Sequence, residues 1–221
     1  MSNLVLRIVS AAVLAPAAVI AAYFGGWLFA AFWCAAALAV LWEWTKLVEG
    51  ASWILAGIFY VGVMVAAPVI LRHDPDLGLL AILLLFAVVW TTDIAGYFAG
   101  RALSGPKLMP AISPKKTWSG AIAGAIGAMI VAVLVARIFG AFDTFAIGAI
   151  ALVLSICSQA GDLLESWIKR KFGAKDASQL IPGHGGVMDR LDGFWAAAFV
   201  ACIIGLLRGG FDSPARGLLV W

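Results

Sequence analysis

Residues 175–193, KDASQLIPGHGGVMDRLDG, crowd Lys175, Asp176, His184, Gly185, Gly186, Asp189, Arg190 and Asp192 into one short run. Carboxylates at modest spacing suit a hard cation, and Mg²⁺ favours a few of them together with phosphate oxygens. Lysine and arginine offset phosphate charge. Glycines let backbone N–H groups line an anion. Together these residue types describe phosphoryl or nucleotidyl transfer, in which catalysis is mostly positioning and charge neutralisation.

The run does not stand alone. Just before it, Ser158, Asp162, Glu165, Ser166 and Lys169 fall at i, i+4, i+7, i+8 and i+11, a single stripe if the segment is helical. Lys169, Arg170 and Lys171 then lead out towards the glycines. A second polar break lies at 91–120, where Thr92, Asp93, Gly96, Tyr97 and Gly100 recur at helical spacing. Ser113-Pro114-Lys115-Lys116-Thr117 follows, and Pro106, Pro110 and Pro114 rule out one continuous helix there. Neither a Gly-x-x-x-x-Gly-Lys loop nor a Gly-x-Gly-x-x-Gly fingerprint occurs, so a phosphate site here is of another design.

The elements that carry these residues are greasy. Of 221 residues, 64% are hydrophobic and 12% charged, with a mean hydropathy of +1.04; soluble domains carry about 25% charged residues. A membrane-spanning helix needs about 20 apolar residues, and candidate spans lie near 4–23, 26–42, 53–71, 77–97, 118–139, 143–163 and 194–208. The expected architecture is an all-α integral membrane protein of about seven transmembrane helices, one polytopic domain over 1–221. Its less specific helices occupy 1–90, its catalytic region 91–193 and its last helix 194–208. Arg7 before an apolar run resembles a signal peptide, but a further apolar segment follows at once, and a retained first helix is expected.

With the N-terminus inside, the cytoplasmic segments hold Arg7, Lys46, Arg101, Lys107, Lys115, Lys116, Lys169, Arg170, Lys171, Lys175 and Arg190, eleven of the fifteen basic residues. Arg72, Arg137, Arg208 and Arg216 stay outside. This is the positive-inside bias, and it puts the site at the cytoplasmic edge of the membrane, expected to be a prokaryotic inner membrane. Trp27, Trp42, Trp44, Trp53, Trp118 and Trp195 lie near span ends, as interfacial indoles do. His73 reads as part of a solvated external loop. Cys34, Cys157 and Cys202 lie in apolar segments and read as small buried hydrophobes. Gly120 and Gly124 have GxxxG spacing; packing within the chain is the expectation, and a homodimer is the alternative.

Ser166-x-Ile168-Lys169-Arg170-x4-Lys175-Asp176-x-Ser178-x2-Ile181-Pro182-x-His184-Gly185-Gly186-Val187-x-Asp189-Arg190-Leu191-Asp192 resembles the signature of the phosphatidate cytidylyltransferases (CDP-diacylglycerol synthases). The Ser158-Gln159-x-Gly161-Asp162-Leu163-x-Glu165 lead-in and Ile112-Ser113-Pro114-Lys115-Lys116-Thr117 are similar to that family as well. Trp118-Ser119-Gly120 departs from the Glu-Gly expected after Lys-Thr, and the chain is short for the family by one or two N-terminal spans. The resemblance implies transfer of the cytidylyl group of CTP to phosphatidic acid, giving CDP-diacylglycerol and pyrophosphate, with Mg²⁺ and room for a second cation. It implies catalytic roles for Asp162, Asp189, Lys169, Arg170, Lys175, Asp176, His184 and Arg190. Substrate contacts fall on Ser113, Lys115, Lys116, Thr117, Ser166, Gly185, Gly186 and Asp93, and metal ligation on Asp162, Asp189, Asp176 and Asp192. CTP, phosphatidic acid and the bilayer are the partners expected; nucleic acid is not.

Bland readings stand beside these. Asp162 could balance Lys169, Asp93 could pair with Lys115, Asp192 could cap a helix, and the basic residues could serve topology alone. Rival activities are a CTP-dependent lipid kinase and, from another class, an ion-coupled transporter with broken helices. A CDP-alcohol phosphotransferase is disfavoured, because its Asp-Gly-x-x-Ala-Arg run is absent.

Overall fold

The computed structural model describes residues 3–140, 143–181 and 185–221, without the side chains of Asn3, Leu4, Arg7 and Ile8. His184 and its expected role therefore fall outside the described residues. Helices α1 (Asn3–Phe24), α2 (Gly26–Leu47), α3 (Ala51–His73) and α4 (Gly78–Leu103) come first. A hairpin of β1 (Lys107–Met109) and β2 (Ser113–Thr117) follows, then α5 (Trp118–Phe139), α6 (Thr144–Lys171), α7 (Met188–Gly209) and the short α8 (Pro214–Leu219). Among the described residues, α2 to α7 are six helices long and apolar enough to cross a membrane, and Val9–Phe24 of α1 is a shorter apolar helix. The protein is a multi-pass, essentially all-helical membrane protein, and the span positions read from hydropathy correspond to α1 to α7.

Contacts at the two ends show that the helices alternate in direction. Arg72 at the end of α3 donates through Nε to the carbonyl of Ala22 at the end of α1, 2.6 Å away. Asp74 beyond α3 accepts from the Arg216 N–H in α8 at 3.0 Å. At the opposite end Trp53, opening α3, packs edge-on against Phe172 beyond α6, with ring centroids 5.3 Å apart. The basic loops gather at this second end.

The hairpin was not legible as strand. Its register pairs Lys107 with Thr117 and Met109 with Ser113, and the Ile112 N–H closes the turn onto the Met109 carbonyl at 3.1 Å. Pro114 is tolerated because a two-stranded ribbon is all edge. The Thr117 hydroxyl then caps α5, accepting from the Gly120 N–H at 3.2 Å.

Glycines set how close the helices come. A Cβ on Gly120 would lie 2.6 Å from the Gly96 carbonyl oxygen, and one on Gly124 would lie 2.7 Å from that of Thr92. The GxxxG face thus packs inside the chain, onto α4. Gly161 and Gly193 do the same for α6 and α7: a Cβ on Gly193 would lie 2.5 Å from Ser158 Oγ, and one on Gly161 2.5 Å from the Asp192 carbonyl oxygen. Not every tryptophan is interfacial. Trp27 is 80% exposed, but Trp44 is buried in the core against Tyr60, its indole N–H on the Trp53 carbonyl. Cys202 is buried and Cys157 half-buried, whereas Cys34 is exposed on the apolar face of α2, against the expectation of burial.

Candidate active site

Where α4 ends, α5 begins, α6 ends and α7 begins, the four helices and the hairpin enclose a cavity of about 840 Å³. That is within the roughly 300–1,000 Å³ typical of small-molecule sites. Its wall carries Asp93, Asp162, Asp176, Asp189 and Asp192 facing Arg101, Lys107, Lys115, Lys116, Lys169 and Arg190. The sequence segments 91–120 and 158–193 thus become one polyelectrolyte pocket.

Asp162 is the junction. It forms an ion pair with Lys116, and its Oδ1 accepts from the Ser166 hydroxyl one turn on, at 3.3 Å. Lys169, its suspected partner, does something else. The buried Lys169 Nζ lies 2.9 Å from Glu165 Oε1 and 2.5 Å from Asp189 Oδ1, linking α6 to α7. The Glu165–Lys169 pair has the favourable i, i+4 order, and Glu165 Oε2 is buried with no hydrogen-bond partner.

Asp189 is held on its other side too. Its Oδ2 accepts from the N–H groups of Ala177 at 2.9 Å and Gly186 at 2.8 Å. The glycine run was expected to line a substrate anion with its amides; the Gly186 N–H instead serves the protein's own carboxylate. Gly185 has a φ of 87°, open to glycine at little cost, and its carbonyl closes a bridge with the Ile181 N–H at 2.8 Å. Neither glycine is among the cavity-lining residues.

Several other expected contacts lie elsewhere. Arg170 is exposed and donates to the carbonyls of Ile112, at 3.4 Å, and Ala174, at 3.0 Å, so it pins the hairpin turn to the end of α6. Lys175 is exposed outside the cavity wall, and Ser113 begins β2 half-buried. Thr117 reaches the wall while capping α5. Asp192 lies inside α7, not at its cap, accepts from the neighbouring Gly193 N–H at 2.7 Å and lines the cavity. Asp93 is exposed to the cavity and, among the described residues, is in no ion pair, with Lys115 or otherwise.

Sequence reasoning missed two things. Gln159, half-buried in the wall, donates to the Ala121 carbonyl at 3.3 Å and to Ser155 Oγ at 3.4 Å, beside a Thr92–Ser155 hydroxyl contact of 2.8 Å. Glu43, in the apolar stretch LWEWTKL, is fully buried. A lone carboxylate in an otherwise apolar helix was the available signal.

Residues 48–207 match the cytidylyltransferase family. The chain belongs to that family. Among curated members it is 50% identical over 182 residues to the phosphatidate cytidylyltransferase of Brucella suis biovar 1 (strain 1330), covering 82% of this chain and 66% of that protein. It is 37% identical over 199 residues to the phosphatidate cytidylyltransferase of Rickettsia bellii (strain RML369-C), covering 86% of each, and 34% identical over 213 residues to that of Rickettsia felis, covering 93% of each. The chain thus spans a little under two thirds of the length of the Brucella relatives. The cytidylyltransferase match contains the whole cavity wall.

Among the described residues, no three histidine, cysteine or acidic side chains converge tightly enough to hold a metal by themselves. Asp93, Asp162 and Asp192 nevertheless line the same cavity. A site with few carboxylates that completes its shell with water and phosphate oxygens is the kind Mg²⁺ takes. The cavity carboxylates are of that hard-oxygen type.

Proposed function

We propose that this chain transfers the cytidylyl group of CTP to phosphatidic acid, releasing pyrophosphate and forming CDP-diacylglycerol at the cytoplasmic edge of a cell membrane. The observation that carries the reading is the cavity, where five aspartates and six cations from the two signature segments share one wall. The names of the relatives agree with it.

The lipid phosphate is already an anion, so the site needs no strong general base to make a nucleophile. It needs cationic groups to hold two anions side by side and to stabilise the departing pyrophosphate. Arg101, Lys107 and Lys115, exposed at the rim, suit the incoming phosphates, and Arg190 meets them from α7. Lys116, tied to Asp162, sets how far that carboxylate reaches. Lys169 is held inside by two carboxylates, so its role is to orient Asp189 and lock α6 to α7. Mg²⁺, held by Asp162 and Asp192 with Asp93, Asp176 and Asp189 in the same wall, would polarise the α-phosphate of CTP.

The position of the cavity supports both substrates. It lies where apolar spans give way to basic loops, so CTP can arrive from water and phosphatidate from the leaflet. Incubating the purified chain with CTP, phosphatidic acid and Mg²⁺ tests the reading: CDP-diacylglycerol with pyrophosphate is expected. A phospholipid with CDP would instead identify a lipid kinase, and ion uptake without CTP turnover a transporter.

A further inference from the structure

Glu43 lies in α2, five residues before the family match begins, and its side chain is 0% exposed. A carboxylate withdrawn from water needs compensation. Among the described residues no cation supplies it, since the ion pairs all involve other groups. Three donors from the far end of the sequence do. The Ser178 hydroxyl donates to Oε1 at 2.6 Å, the Val187 N–H to Oε1 at 2.8 Å and the Met188 N–H to Oε2 at 2.7 Å.

Val187 and Met188 are the cap and first residue of α7. Their N–H groups have no intrahelical acceptor, and the negative charge sits at the positive end of the helix dipole. Gly186 completes the socket: a Cβ there would lie 2.7 Å from Glu43 Oε1 and 2.8 Å from Oε2. The donors interleave with those of Asp189, which takes the Ala177 and Gly186 N–H groups. Asp189 ties the loop to its own helix and to Lys169. Glu43 ties it to α2.

We propose that Glu43 is a positioning residue for the cytidylyl-transfer site: by fixing Ser178, Val187 and Met188 it sets where Asp176, two residues before Ser178, and Arg190, two after Met188, enter the cavity. The inference rests on the function proposed above. Small displacements of groups that hold phosphates are expensive in rate, so the effect belongs in kcat.

The test uses the full chain in bilayer nanodiscs, with Glu43→Gln as the shape-preserving variant and Ser178→Ala as a milder one. Glutamine keeps one acceptor oxygen but turns an NH₂ towards an amide that donates. Hydrogen exchange of peptides spanning 177–189 is followed together with kcat and KM for CTP, below the melting temperature of each variant. Exchange in that segment should quicken at least about tenfold in Glu43→Gln. Its kcat should fall about tenfold to a hundredfold with KM for CTP nearly unchanged, and Ser178→Ala should lose about fivefold. A folded Glu43→Gln protein with wild-type exchange or wild-type kcat overturns the proposal. If that variant does not fold, unchanged exchange and kcat in Ser178→Ala overturn it. A wild-type chain that makes no CDP-diacylglycerol defeats the proposed function instead, and the exchange result still decides whether Glu43 holds the loop.

Discussion

Asp162 on α6 is paired with Lys116, forty-six residues earlier in the hairpin, and not with Lys169 two turns along its own helix. That pairing puts a carboxylate of the cavity wall under the control of the connector between α4 and α5.

Replacing Asp162 with Asn should therefore lower CDP-diacylglycerol formation roughly 100- to 1,000-fold while the protein still inserts and purifies as a folded species. If Asp162 served only to balance charge, Asp162→Asn with Lys116→Met should recover most of the loss, because neither charge is then unpaired. No recovery is expected. Rates of the two single variants and the double variant decide it.

Lys169 predicts a stability effect of a different size. Lys169→Met leaves Glu165 and Asp189 buried without their cation, at a cost of about 3–5 kcal/mol. Adding Glu165→Gln and Asp189→Asn should return much of that stability without returning activity. Thermal melts of the purified variants, set against their turnover, separate the two contributions.

Gly120→Ala should prise α4 from α5 at the cavity floor, since its new methyl meets the Gly96 carbonyl oxygen at 2.6 Å. Overpacking of this kind costs about 1–3 kcal/mol. The melting temperature should drop, and Gly127→Ala, where the nearest atoms are side-chain methyls at 3.2 Å, should drop it less.

For the cation, EDTA should stop product formation and added Mg²⁺ should restore it. Mg²⁺ with CTP should raise the melting temperature more than either alone, because the carboxylates supply only part of the coordination shell. Turnover that persists without any divalent ion would count against the metal role.

Topology is open to direct labelling. In a background without Cys34, Cys157 and Cys202, a cysteine at Lys107 or Lys171 should react with an impermeant thiol reagent only from the cytoplasmic side. The external probe belongs at the exposed Asp76. Asp74 is unsuitable because it is buried, accepting from the N–H groups of Asp76, Leu77 and Arg216. Labelling of Asp76 and Lys171 from one side would break the alternating arrangement.

The sequence by itself determined the spans, the grouping of basic loops and the two polar segments, because hydropathy and charge are properties of the residues wherever the chain goes. Asp162, Asp189, Asp192, Lys116 and Arg190 stood out for the same reason, since charge in an apolar chain is costly, and the structure places all five in one cavity wall. Only the tertiary structure decided partners. Lys116 reaches Asp162 because the hairpin and the start of α5 pack beside α6, where Gln159 donates to the Ala121 carbonyl, and side-chain pairing across elements depends on such distances, not on spacing along the chain. The glycine-loop amides turned out to serve Asp189 and Glu43 because a loop folded over two buried carboxylates must satisfy them first. Glu43 drew no reading from the sequence, because its donors lie more than 130 residues away, a separation no local pattern carries.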